Sequence, residues 1–359
     1  MEVFSCKTKI ISGPGSIGGL QDLNCRRLLI VADPYFQKTD VPDRITKAAN
    51  PEECAYFYEV TPDPSVELAA QGTALVQKFR PDTVVALGGG SAIDCAKAMV
   101  YFSGAAVRLV AIPTTSGSGS EVTDFSVLTH GGSKHPLVDK SLLPEMAILD
   151  GDLLRTLPKT LIADAGFDIV THAVEAYVAT GSGAISDAMA RDAFAAALTG
   201  LPASFGGDTA VRQRIHLAAT MAGIAFSQAG LGLCHAMAHA LGGRFHVAHG
   251  RLGAILLPAV VEVNAAANEK YAELARGAGL GGSADTVAVR NLRNALVRLR
   301  RELSMPATLA QAGIKPGQVR QLREEIVTAA LADPCCATNP VKVEREMAEA
   351  VLERVTGVG

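Results

Sequence analysis

The sequence contains no uncharged apolar run of 18 residues, so it predicts no membrane-spanning helix. Neither charge dominates: the formal net charge is −3, which gives no electrostatic footprint for nucleic acid or an anionic membrane. The seven cysteines include no Cys-x-x-Cys pair, which argues against a disulfide framework or a zinc-ribbon motif and suits free thiols in the cytoplasm. Met1-Glu-Val-Phe-Ser-Cys-Lys7 carries no apolar segment of the kind a secretory signal needs. Internal repeats and low-complexity stretches are also lacking.

What is present is ample core material. The chain has 359 residues, 48% of them hydrophobic, enough for about two domains. Residues 1–157 alternate strand and helix patterns. Arg27-Leu-Leu-Ile-Val-Ala32, Thr83-Val-Val-Ala-Leu87 and Val107-Arg-Leu-Val-Ala-Ile112 are nearly continuous apolar runs, as buried parallel strands require. Helical patterns fall between them at 66–79 and 92–102. Together they predict an α/β domain with a parallel sheet. Residues 158–359 hold almost no strand-like run. Helical periodicity at 185–198, 211–225, 284–303 and 341–355 predicts an all-α second domain.

Four side chains in that second domain offer a metal site. Asp168 and His172 stand four apart, so on a helix they share a face. His235 and His249 come from a second segment. Five of the eight histidines are His172 or fall within 235–249. One carboxylate and three imidazoles suit Fe²⁺ or Zn²⁺ rather than Ca²⁺ or Mg²⁺. The blander alternatives are a helix salt bridge for Asp168 and His172, and core or surface roles such as that expected of His216. His239 lies on the same helical face as His235 and is expected either to relay a substrate proton or to orient a ligand. His246 is expected to face a pocket, and Glu175 to be structural.

Gly88-Gly-Gly-Ser91 follows a strand and opens a helix, an arrangement that lets backbone approach a diphosphate at a helix N-terminus. Ser91 and Asp94 have capping-box-like spacing. A second loop, Pro113-Thr-Thr-Ser-Gly-Ser-Gly-Ser120, is rich in hydroxyls and also ends a strand. Asp33 ends the first strand, where a carboxylate accepts from ribose hydroxyls and disfavours the 2′-phosphate of NADP. Here the acid precedes the glycines, the reverse of the common dinucleotide fingerprint.

Taken together these stretches resemble the iron-containing (group III) alcohol dehydrogenases. The resemblance rests on Gly88-Gly-Gly-Ser-Ala-Ile-Asp-Cys-Ala-Lys97, Ile112-Pro-Thr-Thr-Ser-Gly-Ser-Gly-Ser-Glu-Val-Thr123, Asp168-Ile-Val-Thr-His-Ala-Val-Glu-Ala-Tyr177, Gly232-Leu-Cys-His-Ala-Met-Ala-His239 and His246-Val-Ala-His-Gly250. It spans nearly the whole chain, and its softer details are most similar to the propanol dehydrogenases. The resemblance implies a dehydroquinate synthase-like architecture with the active site in a cleft between the domains. It implies metal ligation by Asp168, His172, His235 and His249, with Fe²⁺ or Zn²⁺ as the ion. It implies NAD contacts, with NADP disfavoured, at Asp33, Gly89, Gly90, Ser91, Asp94, Thr114, Thr115 and Ser118, and also at Asp63 and Lys134. Asp63 departs from the Asn common in the family, and Ser116 and Ser118 stand where Ala and Thr are frequent. The implied activity is NAD-linked oxidation of small primary alcohols or diols, or aldehyde reduction, by a cytoplasmic homo-oligomer. The alternatives are a zinc-dependent glycerol dehydrogenase-like enzyme and a non-catalytic NAD-binding protein.

Overall fold

The computed structural model describes residues 4–131 and 133–357. By contact these divide into two compact units, one of Ser5–Leu157 and the other beginning at Pro158.

The first unit is built on β1 (Lys9–Ser12), β2 (Arg27–Ala32), α1 (Val41–Ala49), β3 (Glu53–Phe57), α2 (Val66–Phe79), β4 (Thr83–Gly88), α3 (Gly90–Ser103), β5 (Arg108–Pro113), β6 (Phe125–His130), β7 (Ser133–Val138) and β8 (Met146–Leu149). Six strands form one parallel sheet in the order β1-β8-β5-β4-β2-β3. The apolar runs are continuous because both faces are covered. Leu28, Ile30, Val85, Leu87, Val110 and Ile112 pack on the face carrying α1. Leu29, Val31, Val84, Ala86, Leu109 and Ala111 pack on the face carrying α3. This is the two-residue alternation of a strand expressed twice over. β1 and β3 have no comparable run and β8 has one of only four residues, and sequence reading misses all three. β6 and β7 form a separate antiparallel hairpin.

Register aligns the strand ends. Ala32 pairs with Leu87, and Gly88 with Pro113. Asp33, the glycine turn and the hydroxyl loop therefore leave the sheet at one edge, where ligands of open parallel sheets bind.

The second unit contains α4 (Lys159–Val178), α5 (Ala184–Gly206), α6 (Arg212–Ala229), α7 (Leu233–Phe245), α8 (His249–Val263), α9 (Asn268–Gly277), α10 (Asp285–Glu302), α11 (Pro316–Gln321), α12 (Arg323–Leu331) and α13 (Arg345–Thr356). α4 is buried along most of its length and packs against α5, α6 and α8. Among the described residues no single helix is long and apolar enough to cross a membrane.

α3 is anchored differently from expectation. Its N-cap is Gly89, without a side-chain cap, so Ser91 and Asp94 form no capping box. Asp94 is buried instead, and its Oδ2 accepts from the Val127 backbone N–H at 3.1 Å. Burial raises its pKa, an effect opposed by the charge of Lys97. Lys97 is itself buried, and burial pushes its ammonium down to about 8. Its Nζ donates to Thr123 O at 2.7 Å, Phe125 O at 2.8 Å and Thr123 Oγ1 at 3.1 Å. One helix thus holds the segment between the hydroxyl loop and β6. Lys97→Met leaves those carbonyls without their ammonium donor, and each orphaned buried acceptor costs about 1–3 kcal/mol. The variant is expected to lose about 2–4 kcal/mol of unfolding free energy, read as a lower urea midpoint at constant slope. An unchanged midpoint would show that the three bonds contribute nothing net.

Candidate active site

The ligand candidates gather in the helical unit. α4 presents Asp168, His172 and Glu175 at successive turns of one face. α7 presents His235 in its first turn and His239 one turn later. α8 begins at His249. One donor atom each from Asp168, His172 and His235 lies within 4.8 Å of the others. His235 Nε2 is 3.9 Å from Asp168 Oδ1, just short of twice a metal–ligand bond of about 2.0–2.2 Å. The His172 and His235 rings stack with centroids 4.6 Å apart, and Phe226 stacks on the other face of His172 at 4.4 Å. Two imidazolium ions would repel at that distance, whereas two neutral rings can share one cation. His249 stands outside the closest trio, with its ring 5.1 Å from that of His239.

Glu175 sets the tautomer of His235. Its Oε2 lies 2.6 Å from His235 Nδ1. A carboxylate only accepts, so Nδ1 carries the proton and Nε2 presents its lone pair toward Asp168. Burial works against an imidazolium here, yet the hydrogen bond and charge of Glu175, helped by Asp168, raise the His235 pKa overall. Glu175 also accepts from the backbone N–H of Cys234 at 2.7 Å and of His235 at 3.2 Å. Asn339 Oδ1 takes the Leu233 N–H at 3.1 Å. The first three amides of α7 are therefore satisfied by distant side chains, while Gly232 supplies no cap of its own. The structural role expected of Glu175 thus extends to holding a ligand candidate in orientation. Its place seven residues after Asp168, on the same stripe, is the sequence signal for it.

A second carboxylate–histidine pair was not foreseen. His239 Nδ1 lies 2.8 Å from Asp333 Oδ2. Asp333 caps the 3₁₀ turn Pro334–Thr338 by accepting from Cys335 N at 2.9 Å. Burial opposes ionisation of Asp333, but the His239 hydrogen bond and charge prevail and hold it down at about 2. Nothing local in sequence signals this pair, since 94 positions separate the partners. His246 is exposed at the C-cap of α7 with φ of 53°, and His216 is buried in α6.

In the α/β unit the cofactor candidates also cluster. The Asp33 carboxylate accepts from Tyr35 N at 2.9 Å. Its other oxygen would sit 3.8 Å from a Cβ built on Gly88, whose φ of 150° suits glycine. A Cβ on Gly90 would come within 3.0 Å of Ser118, so the glycine lets the two loops touch. Thr114 N donates to Gly88 O at 2.9 Å. Thr115 Oγ1 lies beside Gly89. Asp63 pairs with Lys134 Nζ at 2.7 Å, and its N–H donates to Ser91 Oγ at 3.3 Å. Asp94 stands apart, turned into the hairpin contact described above.

Comparison with known proteins adds family evidence. Residues 7–151 match the iron-containing alcohol dehydrogenase family, and residues 162–356 match the C-terminal part of the Fe-containing alcohol dehydrogenase family. The chain is 39% identical to 1-propanol dehydrogenase of Citrobacter freundii, covering 99% of this chain and 100% of that one. It is 34% identical to NADPH-dependent butanol dehydrogenase of Clostridium saccharobutylicum, covering 98% and 97%. The iron-containing alcohol dehydrogenase structure from Thermococcus thioreducens superposes with a TM-score of 0.92 at 34% identity, covering 98% of this chain and 99% of that chain.

Glu175→Gln keeps the volume but removes the charge that orients His235. It is expected to weaken Fe²⁺ or Zn²⁺ binding by roughly 10–100-fold, measured by competition with a chromogenic chelator. Unchanged affinity would show that Glu175 does not govern the ligand lone pair.

Proposed function

The chain belongs to the iron-containing alcohol dehydrogenase family, and from that premise we propose that it transfers hydride reversibly between a small primary alcohol or diol and NAD⁺, with propanol and propionaldehyde as the leading pair. The observation that carries this reading is the Asp168, His172 and His235 trio with Glu175 fixing His235. The names of the propanol and butanol dehydrogenase relatives support the substrate class. In this reading 1–157 is the dinucleotide-binding domain and 158–359 the metal and substrate domain, in a cytoplasmic homo-oligomer whose seven cysteines stay free, as the described thiols are.

Asp168, His172 and His235 would hold the ion, with His249 as the fourth ligand. When bound there, Fe²⁺ or Zn²⁺ supplies Lewis acidity toward an alcohol or carbonyl oxygen. The dinucleotide supplies the hydride acceptor. Glu175 keeps the His235 lone pair aimed at the site. Phe226 and the apolar surroundings of α4 keep water from His172.

His239 moves the proton. Asp333 occupies its Nδ1, so Nε2 is free to take a proton from the substrate hydroxyl in alcohol oxidation and to return it in aldehyde reduction. The His239 side chain is 35% exposed, enough to pass that proton to solvent. In the other unit, the uncapped start of α3 offers amides to the diphosphate. Ser91, Thr114, Thr115, Ser118 and the Asp63–Lys134 pair line the same edge. Asp33 accepts from ribose hydroxyls and repels a 2′-phosphate.

His239→Ala is expected to keep the one ion held by Asp168, His172, His235 and His249 while kcat falls by roughly 10²–10⁴-fold, measured as NADH oxidation with propionaldehyde. Near-normal kcat would remove His239 from the reaction. Asp33→Ala is expected to raise kcat/KM for NADPH relative to NADH by roughly tenfold or more. An unaltered ratio would place the cofactor choice elsewhere.

A further inference from the structure

Beside the His239–Asp333 pair lies a thiol, Cys335, that the proposed hydride transfer does not use. One imidazole nitrogen of His239, one carboxylate oxygen of Asp333 and the sulfur of Cys335 all lie within 4.8 Å of one another. They come from two elements, α7 and the 3₁₀ turn Pro334–Thr338 with its cap. Nitrogen, oxygen and sulfur are donors a tetrahedral ion takes, and its bonds of about 2.0–2.3 Å set ligands roughly 3.3–3.8 Å apart, a spacing these three reach by small side-chain shifts. Oδ1 of Asp333 is engaged by Cys335 N at 2.9 Å, and Oδ2 faces His239 Nδ1 at 2.8 Å. Burial, reinforced by the negative charge of Asp333, keeps the Cys335 thiol protonated. An imidazole and a thiol, both groups that bind zinc, thus flank one carboxylate. The His239 side chain is 35% exposed, which leaves the cluster open to an ion from solvent.

We propose that His239, Asp333 and Cys335 form a second divalent-metal site, selective for thiophilic ions such as Zn²⁺, whose occupation switches the enzyme off. Binding forms one bond each from the ion to Asp333 Oδ2, His239 Nδ1 and Cys335 Sγ, with water as the fourth ligand. The S–H bond breaks and its proton leaves to solvent. The imidazole proton moves from Nδ1 to Nε2, so the ring stays neutral and no electron is transferred. Nε2 then donates instead of accepting, and His239 can no longer take the substrate proton. The inhibitory half rests on the relay role proposed above; the binding half does not.

Cobalt separates this site from the first. Asp168, His172, His235 and His249 contain no sulfur, so near-ultraviolet thiolate-to-Co²⁺ charge-transfer absorption reports the second site alone. Metal-stripped full-length protein titrated with Co²⁺ is expected to develop that band, and Cys336→Ser to retain it. Cys335→Ser is expected to lack it, and His239→Ala, which removes a different donor, to show it only at much higher Co²⁺. In parallel, Zn²⁺ beyond the first equivalent is expected to cut aldehyde reduction roughly 100-fold in the unaltered enzyme and to leave Cys335→Ser almost unaffected. Absence of the band, or its survival in Cys335→Ser, would overturn the site. A band without inhibition would overturn the inhibitory half and the relay role with it, while the metal site would stand.

Discussion

The buried carboxylate of Glu175 is the interaction on which the helical unit's chemistry depends. A charge in that position costs several kcal/mol unless its lone pairs are satisfied. Here two backbone amides at the start of α7 and the Nδ1 proton of His235 satisfy it. The arrangement also uses the helix dipole, since a negative group at an N-terminus is favoured. The same carboxylate therefore starts a helix, chooses a tautomer and aims a ligand. Asn339 completes the start of α7 and is tied in turn to Asn264, which bonds to Tyr271. Loss of Glu175 would release the helix and its histidine together.

The other ligand helix is placed by contact rather than by charge. Gly250 follows His249, and a Cβ there would lie 1.7 Å from the Asp164 carbonyl oxygen. No side chain fits, so the first turn of α8 rests directly on the backbone of α4. Arg251 then grips the Asp164 carboxylate through Nε at 3.0 Å and Nη2 at 2.7 Å. This two-point geometry fixes orientation as well as distance. His249 is thus set against α4 from the next residue along, with its ring 5.1 Å from that of His239.

These anchors divide what the sequence reveals from what it hides. The central strands are legible because β2, β4 and β5 are buried on both faces and must be apolar throughout. The edge strands β1 and β3 carry no such demand, and β8, though fully buried, is only four residues long. The histidines are legible because imidazoles are scarce and concentrated here. Their pairing with supporting carboxylates is not. The stripe shared with Asp168 and His172 marks the face of Glu175 but not its partner, 60 positions away. Lys97 and Asp94 look like an ordinary polar helix face, yet both are buried against the chain that follows the hydroxyl loop. Periodicity reports which face is apolar; it carries no information on which distant donor meets which acceptor.

The two histidines of α7 show how one chemical pairing serves two purposes. His235 and His239 each present Nδ1 to a carboxylate, at 2.6 Å and 2.8 Å, and so each leave Nε2 as the acceptor. Their rings lie 6.0 Å apart. What separates them is water. The His235 side chain is 4% exposed and that of His239 is 35% exposed. A sealed imidazole beside two carboxylates can release a proton only by exchanging it for another cation, which makes it a lone-pair donor for a resident ion. An open imidazole can trade its proton with solvent at every turnover, which is what a relay requires. The same openness leaves His239 accessible to any ion that binds thiols and imidazoles, so the exposure that suits it to proton transfer also makes it the vulnerable point of the site.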